Sequence, residues 1–220
     1  MRSRLKTIFF AVSIALCGGY ANATTIFSDF GPGNTYNAGI GWAVTGPGSF
    51  TAPFSQAGEF TSTGNYSVGQ IDLGLGNISG TNSAVVSLWT EVSGLPGAQL
   101  GSWSVSGQPP FATATNQITT ISSISGVNLL LGSNYFVVID PGANDTGDAW
   151  NENAIGATGL ELYNSGSGWT SNGTQTLGAF DVISDSAVTS VPEPATLALF
   201  GAGLAGLGAL RRRRKRESIA

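Results

Sequence analysis

The sequence predicts an all-β fold, an antiparallel β-sandwich of jelly-roll-like type, and three observations lead there. Short apolar runs rich in β-branched residues alternate with clusters of Gly, Asn, Ser and Pro. Glycine is abundant, at 32 of 220 residues, and charged residues make up only 10% of the chain. No segment before residue 195 carries a helical apolar period.

The predicted strands follow in order. Residues 26–30 and 40–44 come first, then 57–61, then 67–75, where Val68, Ile71, Leu73 and Leu75 partly alternate with Asp72 and Gly74. Alternation is clearer over 84–92, with Val86, Leu88, Thr90 and Val92 opposite Val85, Ser87, Trp89 and Glu91. Gly94-Leu95-Pro96-Gly97 reads as a type II turn. Segments 100–106, 117–124, 127–131, 135–140, 160–163 and 177–183 complete the set. Many short strands without interleaved helices suggest two packed layers. The chain is large enough to bury one core without disulfides. No fixed-period repeat is present, which argues against a propeller or solenoid.

Charge is distributed unevenly. All nine cations lie in two end clusters, Arg2, Arg4 and Lys6, and the block Arg211, Arg212, Arg213, Arg214, Lys215 and Arg216. Residues 24–190 hold eleven acids and no Lys, Arg or His, for a formal charge of −11. That stretch can build no phosphate clamp, so nucleic acids and nucleotides are excluded as partners. It can form no internal salt bridge, so its acids must be solvated, hydrogen-bonded or metal-bound. Ser-His-Asp, Cys-His and Ser-Lys nucleophile systems are excluded as well. Cys17, the sole cysteine, falls in the N-terminal apolar run, so the predicted domain has neither disulfide nor thiol.

The two ends read as targeting segments around that domain. Residues 1–23 have a basic start, an apolar core over 8–16 and the small-x-small site Ala21-Asn22-Ala23, the pattern of a secretory signal peptide cut by signal peptidase after Ala23. Lipidation at Cys17 fits less well, because Leu16 is bulky where that processing needs a small residue. The far end, 191–220, opens with Val191, Pro192, Glu193 and Pro194, continues as an apolar run over 195–210, and closes on the basic block. Sixteen helical residues span about 24 Å, short of the roughly 30 Å hydrocarbon layer. Gly201, Gly203, Gly206 and Gly208 weaken that helix further. The expectation is a marginal transmembrane helix that holds a precursor transiently in the inner membrane, with the arginines cytoplasmic and the 24–190 domain outside.

Motif, short span and basic cluster in this order resemble the PEP-CTERM sorting signal of Gram-negative bacteria. The resemblance implies recognition by an exosortase, a membrane transpeptidase-like enzyme acting near Pro192-Glu193-Pro194. The domain itself resembles the choice-of-anchor R type of extracellular domain. The matching residues are Glu59-Phe60-Thr61, Ile71-Asp72-Leu73, Gly80-Thr81-Asn82, Val86-Ser87-Leu88-Trp89-Thr90 and Gly94-Leu95-Pro96-Gly97, with Trp150-Asn151-Glu152-Asn153 and Gly168-Trp169 further on. That likeness implies an exported β-sandwich and brings no catalytic residues.

Candidate sites inside the domain are few. Residues 140–153 carry Asp140, Asn144, Asp145, Asp148, Asn151 and Glu152, and calcium takes six to eight hard oxygens from such a loop. Asp140, Asp145, Asp148 and Glu152 are the candidate ligands, although their spacing is not that of an EF-hand; the alternative is a solvated loop held by Asx turns. Asp145-Thr146-Gly147 has the form of an aspartic-protease triplet, but the second triplet that this chemistry requires is missing. A glycosidase would need two carboxylates at a defined separation. Five tryptophans could stack on sugar rings. Trp150 and Trp169, in polar Gly/Asn-rich surroundings, are the candidate carbohydrate-binding residues, whereas Trp89 and Trp103 are expected to pack. The resulting expectation is a non-enzymatic exported protein associated with an exopolysaccharide or biofilm matrix. The alternatives are a carbohydrate-binding module, calcium-dependent or not, and a glycoside hydrolase.

Overall fold

Strand alternation decides which side chains this domain buries. The computed structural model describes residues 23–187, and fourteen strands cross them: β1 (Thr25–Ser28), β2 (Tyr36–Thr45), β3 (Ser55–Thr61), β4 (Tyr66–Leu73), β5 (Leu75–Ser79), β6 (Ser83–Val92), β7 (Leu95–Ser106), β8 (Thr119–Ile121), β9 (Asn128–Leu129), β10 (Asn134–Pro141), β11 (Gly147–Asn153), β12 (Thr158–Asn164), β13 (Trp169–Thr176) and β14 (Phe180–Ala187). Among the described residues there is no helix, and every pairing between named strands is antiparallel. The all-β expectation is met. The described residues all belong to one compact unit.

A six-stranded sheet runs β13-β12-β3-β10-β6-β7, and a five-stranded sheet runs β1-β14-β4-β8 with β9 also on β4. Their facing side chains make the main core. Phe60, Val86, Leu88, Val137 and Ile139 from the first meet Ile26, Ile71, Leu73, Phe180 and Val182 from the second. Burial this complete stabilises each large apolar side chain by about 1.5–3 kcal/mol. A smaller sheet, β2-β11-β5, sits beside them. Backbone bonds from Asn151 N to Gly74 O (2.8 Å) and Ala179 N to Asn151 O (2.7 Å) stitch β11 between the run joining β4 to β5 and the approach to β14.

Trp150, at the centre of β11, is 1% exposed, and its indole Nε1 donates to Ala179 O at 3.0 Å. Its ring lies 5.6 Å from that of Phe180, which stacks on Phe27 at 4.6 Å. The indole needs glycine on two sides: a Cβ at Gly178 would fall 2.3 Å from the ring, and one at Gly58 would fall 3.0 Å from it.

Three details differ from the sequence reading. The β6–β7 hairpin turns at Ser93-Gly94, both with positive φ (55° and 77°), so Leu95, Pro96 and Gly97 belong to β7. Two left-handed residues give the turn twist that a tight hairpin prefers, and Pro96 is tolerated because β7 is an edge strand. The segment 147–153 is a strand rather than a polar loop, and the polar segment 169–176 also forms a strand, β13. Among the described residues no helix is long and apolar enough to cross a membrane. The predicted C-terminal helix, the sorting residues Val191, Pro192, Glu193 and Pro194, and the signal peptide up to Asn22 lie outside the described residues.

Gly178→Ala should destabilise the fold by about 1–3 kcal/mol through overpacking against Trp150. Gly39→Ala, where a Cβ meets only Asn37 Oδ1 at 3.9 Å, should change stability by less than about 0.5 kcal/mol. Urea-unfolding midpoints of the two variants check the contrast.

Candidate functional site

An open cleft of about 630 Å³ is lined by Trp42, Ala43, Ala52, Phe54, Gln56, Tyr163, Ser165 and Asn172. Its walls come from four strands, one folded-back loop and the β12–β13 connection that carries Ser165. Strand β2 supplies Trp42 and Ala43. The chain after β2 returns through paired bonds between Thr45 and Phe54 (3.0 and 2.9 Å) and from Thr45 Oγ1 to Ala52 O (2.6 Å), which set Phe54 at the cleft edge. Gln56 of β3 stands directly opposite Tyr163 of β12. Asn172 is the extra residue where β13 slips against β12, because Glu161 pairs with Gly173 while Leu162 pairs with Ser171. Such a bulge re-aims a side chain, and here it places Asn172 among the cleft residues.

Three half-buried aromatic rings dominate the lining. Phe54 and Tyr163 meet edge to face at 5.9 Å, and the Trp42 indole is fixed by donating from Nε1 to Thr176 O at 3.0 Å. The polar groups are amides. Gln56 donates from Nε2 to Ala43 O at 2.6 Å, while its buried Oε1 has no partner. Asn172 donates from Nδ2 to Glu161 Oε2. Glu161 is 1% exposed, its Oε1 is unpartnered, and burial pushes its carboxyl up to about 7 against the opposing hydrogen bond from Asn172. A buried acceptor without a donor costs about 1–3 kcal/mol. Aromatic faces with a few fixed polar groups form the usual lining of a small-ligand site, and they suit the C–H faces of sugars.

The candidate residues from the sequence are placed differently. Trp150 is a core residue, corrected here because its indole is enclosed by Gly58, Gly178 and Phe180 and presents no face to a ligand. Trp169, half-buried at the start of β13, packs on a separate cluster of Ala57, Phe136, Val138 and Leu162, together with Trp89. Trp150 and Trp169 therefore do not form a shared platform. The cleft aromatics Phe54 and Tyr163 were not singled out by the sequence, and Trp42 entered only as one of five tryptophans. Their convergence depends on the bulge and on the 45–54 return, which leave no local signature.

The four candidate calcium ligands are not brought together. Among the described residues no group of three or more acidic, His or Cys side chains is arranged to hold a metal. Asp140 lies on β10, Asp145 is exposed in the intervening turn, and Asp148 and Glu152 lie on β11. The ladder of β11 to β2 and β5 straightens the segment that a ligand loop would have to curl. Thr146 closes the turn instead, accepting from Ala143 N (3.0 Å) and donating to Thr81 O (2.9 Å). Asp148 is fully buried and accepts from Asn77 Nδ2 at 2.8 Å; burial pushes it up to about 6. Burial also raises Glu152.

A second group of buried acids crosses the five-stranded sheet, where Asp181 stands opposite Asp72 on one side and Ser28 on the other. Asp29 is fully buried beside them and accepts from Phe180 N at 2.7 Å. Burial pushes Asp29 up to about 8, with the Asp181 charge adding to the rise, and burial likewise raises Asp181.

Comparison with known proteins supplies the class first. Residues 190–214 match the PEP-CTERM protein-sorting motif, and that motif implies an exported protein targeted to an exosortase and carried to the cell surface. No curated protein matches the chain. Among solved structures, the cysteine protease and lectin-like domains of Cwp84, a surface layer associated protein of Clostridium difficile, match at 11% identity and a TM-score of 0.38. The match covers 61% of this chain and 32% of that one, a likeness too low to carry a functional argument.

Acids with raised folded-state values bind more protons folded than unfolded, so stability should fall as pH rises. The loss should begin near the ordinary carboxylate value of 3.8 and end near 8, where Asp29 ionises. Urea midpoints measured from pH 4 to 9 should decline across that window, and Asp29→Asn should flatten its upper part.

Proposed function

We propose that the chain is a non-enzymatic exported protein, sorted by an exosortase, that binds carbohydrate of the exopolysaccharide or biofilm matrix in the Trp42–Phe54–Tyr163 cleft. The observation that carries the binding half is the convergence of three half-buried rings with the Gln56 and Asn172 amides. The delivery half rests on the sorting motif at 190–214. In this reading signal peptidase cuts after Ala23, the 195–210 segment holds the precursor in the inner membrane, and processing near Pro192-Glu193-Pro194 releases or re-anchors the domain outside.

The same reading takes the domain as jelly-roll-like and of the choice-of-anchor R type. Strand order supports the first point: β1-β14-β4-β8 faces β3-β10-β6-β7, the arrangement of two interlocked Greek keys, with β2, β5, β9 and β11–β13 as additions. The motifs from Glu59 to Trp169 support the second. A binding role is favoured over hydrolysis because no carboxylate lines the cleft and a glycosidase needs two facing the bond.

Deleting residues 191–220 should abolish delivery to the surface or matrix, read by fractionation of cells and medium; unchanged delivery contradicts the sorting half. Trp42→Ala should weaken retention on matrix polysaccharide by roughly tenfold, the scale of one lost aromatic stacking contact. Trp169→Ala should leave retention unchanged. Affinity electrophoresis through polysaccharide gels reads both variants.

A further inference from the structure

The cleft's two amides are both pinned through their nitrogens. Gln56 Nε2 is committed to Ala43 O, and Asn172 Nδ2 to Glu161 Oε2. Each bond uses one of the two N–H groups of its amide, so it fixes the amide plane and leaves one N–H and the oxygen uncommitted. Gln56 Oε1 has no partner but is enclosed beneath the surface, so Gln56 braces the wall and the half-buried Asn172 is the amide that the cleft presents. Ser165 and Tyr163 contribute hydroxyls that can donate or accept. No cation occurs anywhere in residues 24–190, so the acids that ionise there set a negative field with nothing to offset it. A carboxylate, sulfate or phosphate entering the cleft would therefore meet repulsion with no counter-charge.

We infer that the cleft selects an uncharged sugar, that Asn172 is the amide that contacts it, and that Glu161 is the positioning residue that fixes the Asn172 amide. This deepens the carbohydrate-binding reading and rests on it. Glu161 itself lies beneath the lining and does not touch the ligand. Its role is to accept from Nδ2, so a carboxylate, a carboxylic acid or a carboxamide at that position can fix the same orientation. Removing the group frees the amide to rotate.

The test is calorimetric titration of the full chain in mild detergent with two probe sets of equal length, neutral gluco- and manno-oligosaccharides and oligogalacturonates. The neutral set is expected to bind, and oligogalacturonate to bind at least about 100-fold more weakly, with little gain from added salt beyond screening. Glu161→Ala should weaken neutral binding by about tenfold, and Glu161→Gln should stay within about threefold of the parent. Because Glu161→Ala removes a buried side chain, Asn172→Ala, at a half-buried site, serves as the second variant and should lose the same factor. Equal losses in Glu161→Gln and Glu161→Ala, or no loss in Asn172→Ala, overturn the positioning role. Oligogalacturonate binding as tightly as the neutral set overturns the ligand class but leaves carbohydrate binding standing. Binding of neither set overturns both.

Discussion

The domain's structure depends on one constraint: between residues 24 and 190 there is no cation to neutralise a buried carboxylate. Most proteins pair or solvate such groups. Here Asp29, Asp72, Asp148, Glu161 and Asp181 are buried and must be held by hydrogen bonds and protons alone. The backbone of Phe180 serves Asp29, Asn77 serves Asp148, Asn172 serves Glu161 and Gln70 serves Asp72. Each of those donors is thereby fixed in orientation, so the acids act as struts for neighbouring amides and strands. The same lack of cations shapes what the surface can attract, because an acidic domain repels anionic polymers and tolerates neutral ones.

The cleft and the core share a structural dependence at β11. Trp150 packs against Phe180 and lies between Gly58 and Gly178, while its neighbour across the ladder, Trp42, faces the cleft. One strand pair thus carries a fully buried indole and a half-exposed one. As direct partners across the ladder the two indoles share a face of the sheet, Trp42 packs against the core cluster that holds Trp150, and preorganised aromatic faces lose little freedom on binding. The β12–β13 bulge adds Asn172 to the same space without disturbing the sheet beyond it.

Much of the fold was legible in the sequence because alternation over 84–92 and the apolar run at 135–140 each name a buried face directly. Trp150 was misread for a physical reason. It sits among Asp148, Asn151, Glu152 and Asn153, a composition that signals a loop, yet Asp148, Asn151 and Asn153 are buried in the fold. Asn153, for example, bonds both Ala157 and Leu177. The acids singled out as calcium ligands are close in sequence, and strand geometry separates them. Trp42, Phe54 and Tyr163 come from 42, 54 and 163, and only tertiary pairing brings them together. The terminal sorting motif was legible in full, because its recognition depends on the order of short segments rather than on folding.

The five indole Nε1–H resonances give the most direct measurement of the central claim. Proton–nitrogen NMR spectra of the full chain in detergent, with Trp42 assigned through Trp42→Phe, would be followed during titration with a neutral oligosaccharide. The account predicts a saturable shift of the Trp42 signal while those of Trp150, Trp103, Trp89 and Trp169 hold still. A ligand that moves Trp169 or Trp89 and leaves Trp42 unchanged would contradict it.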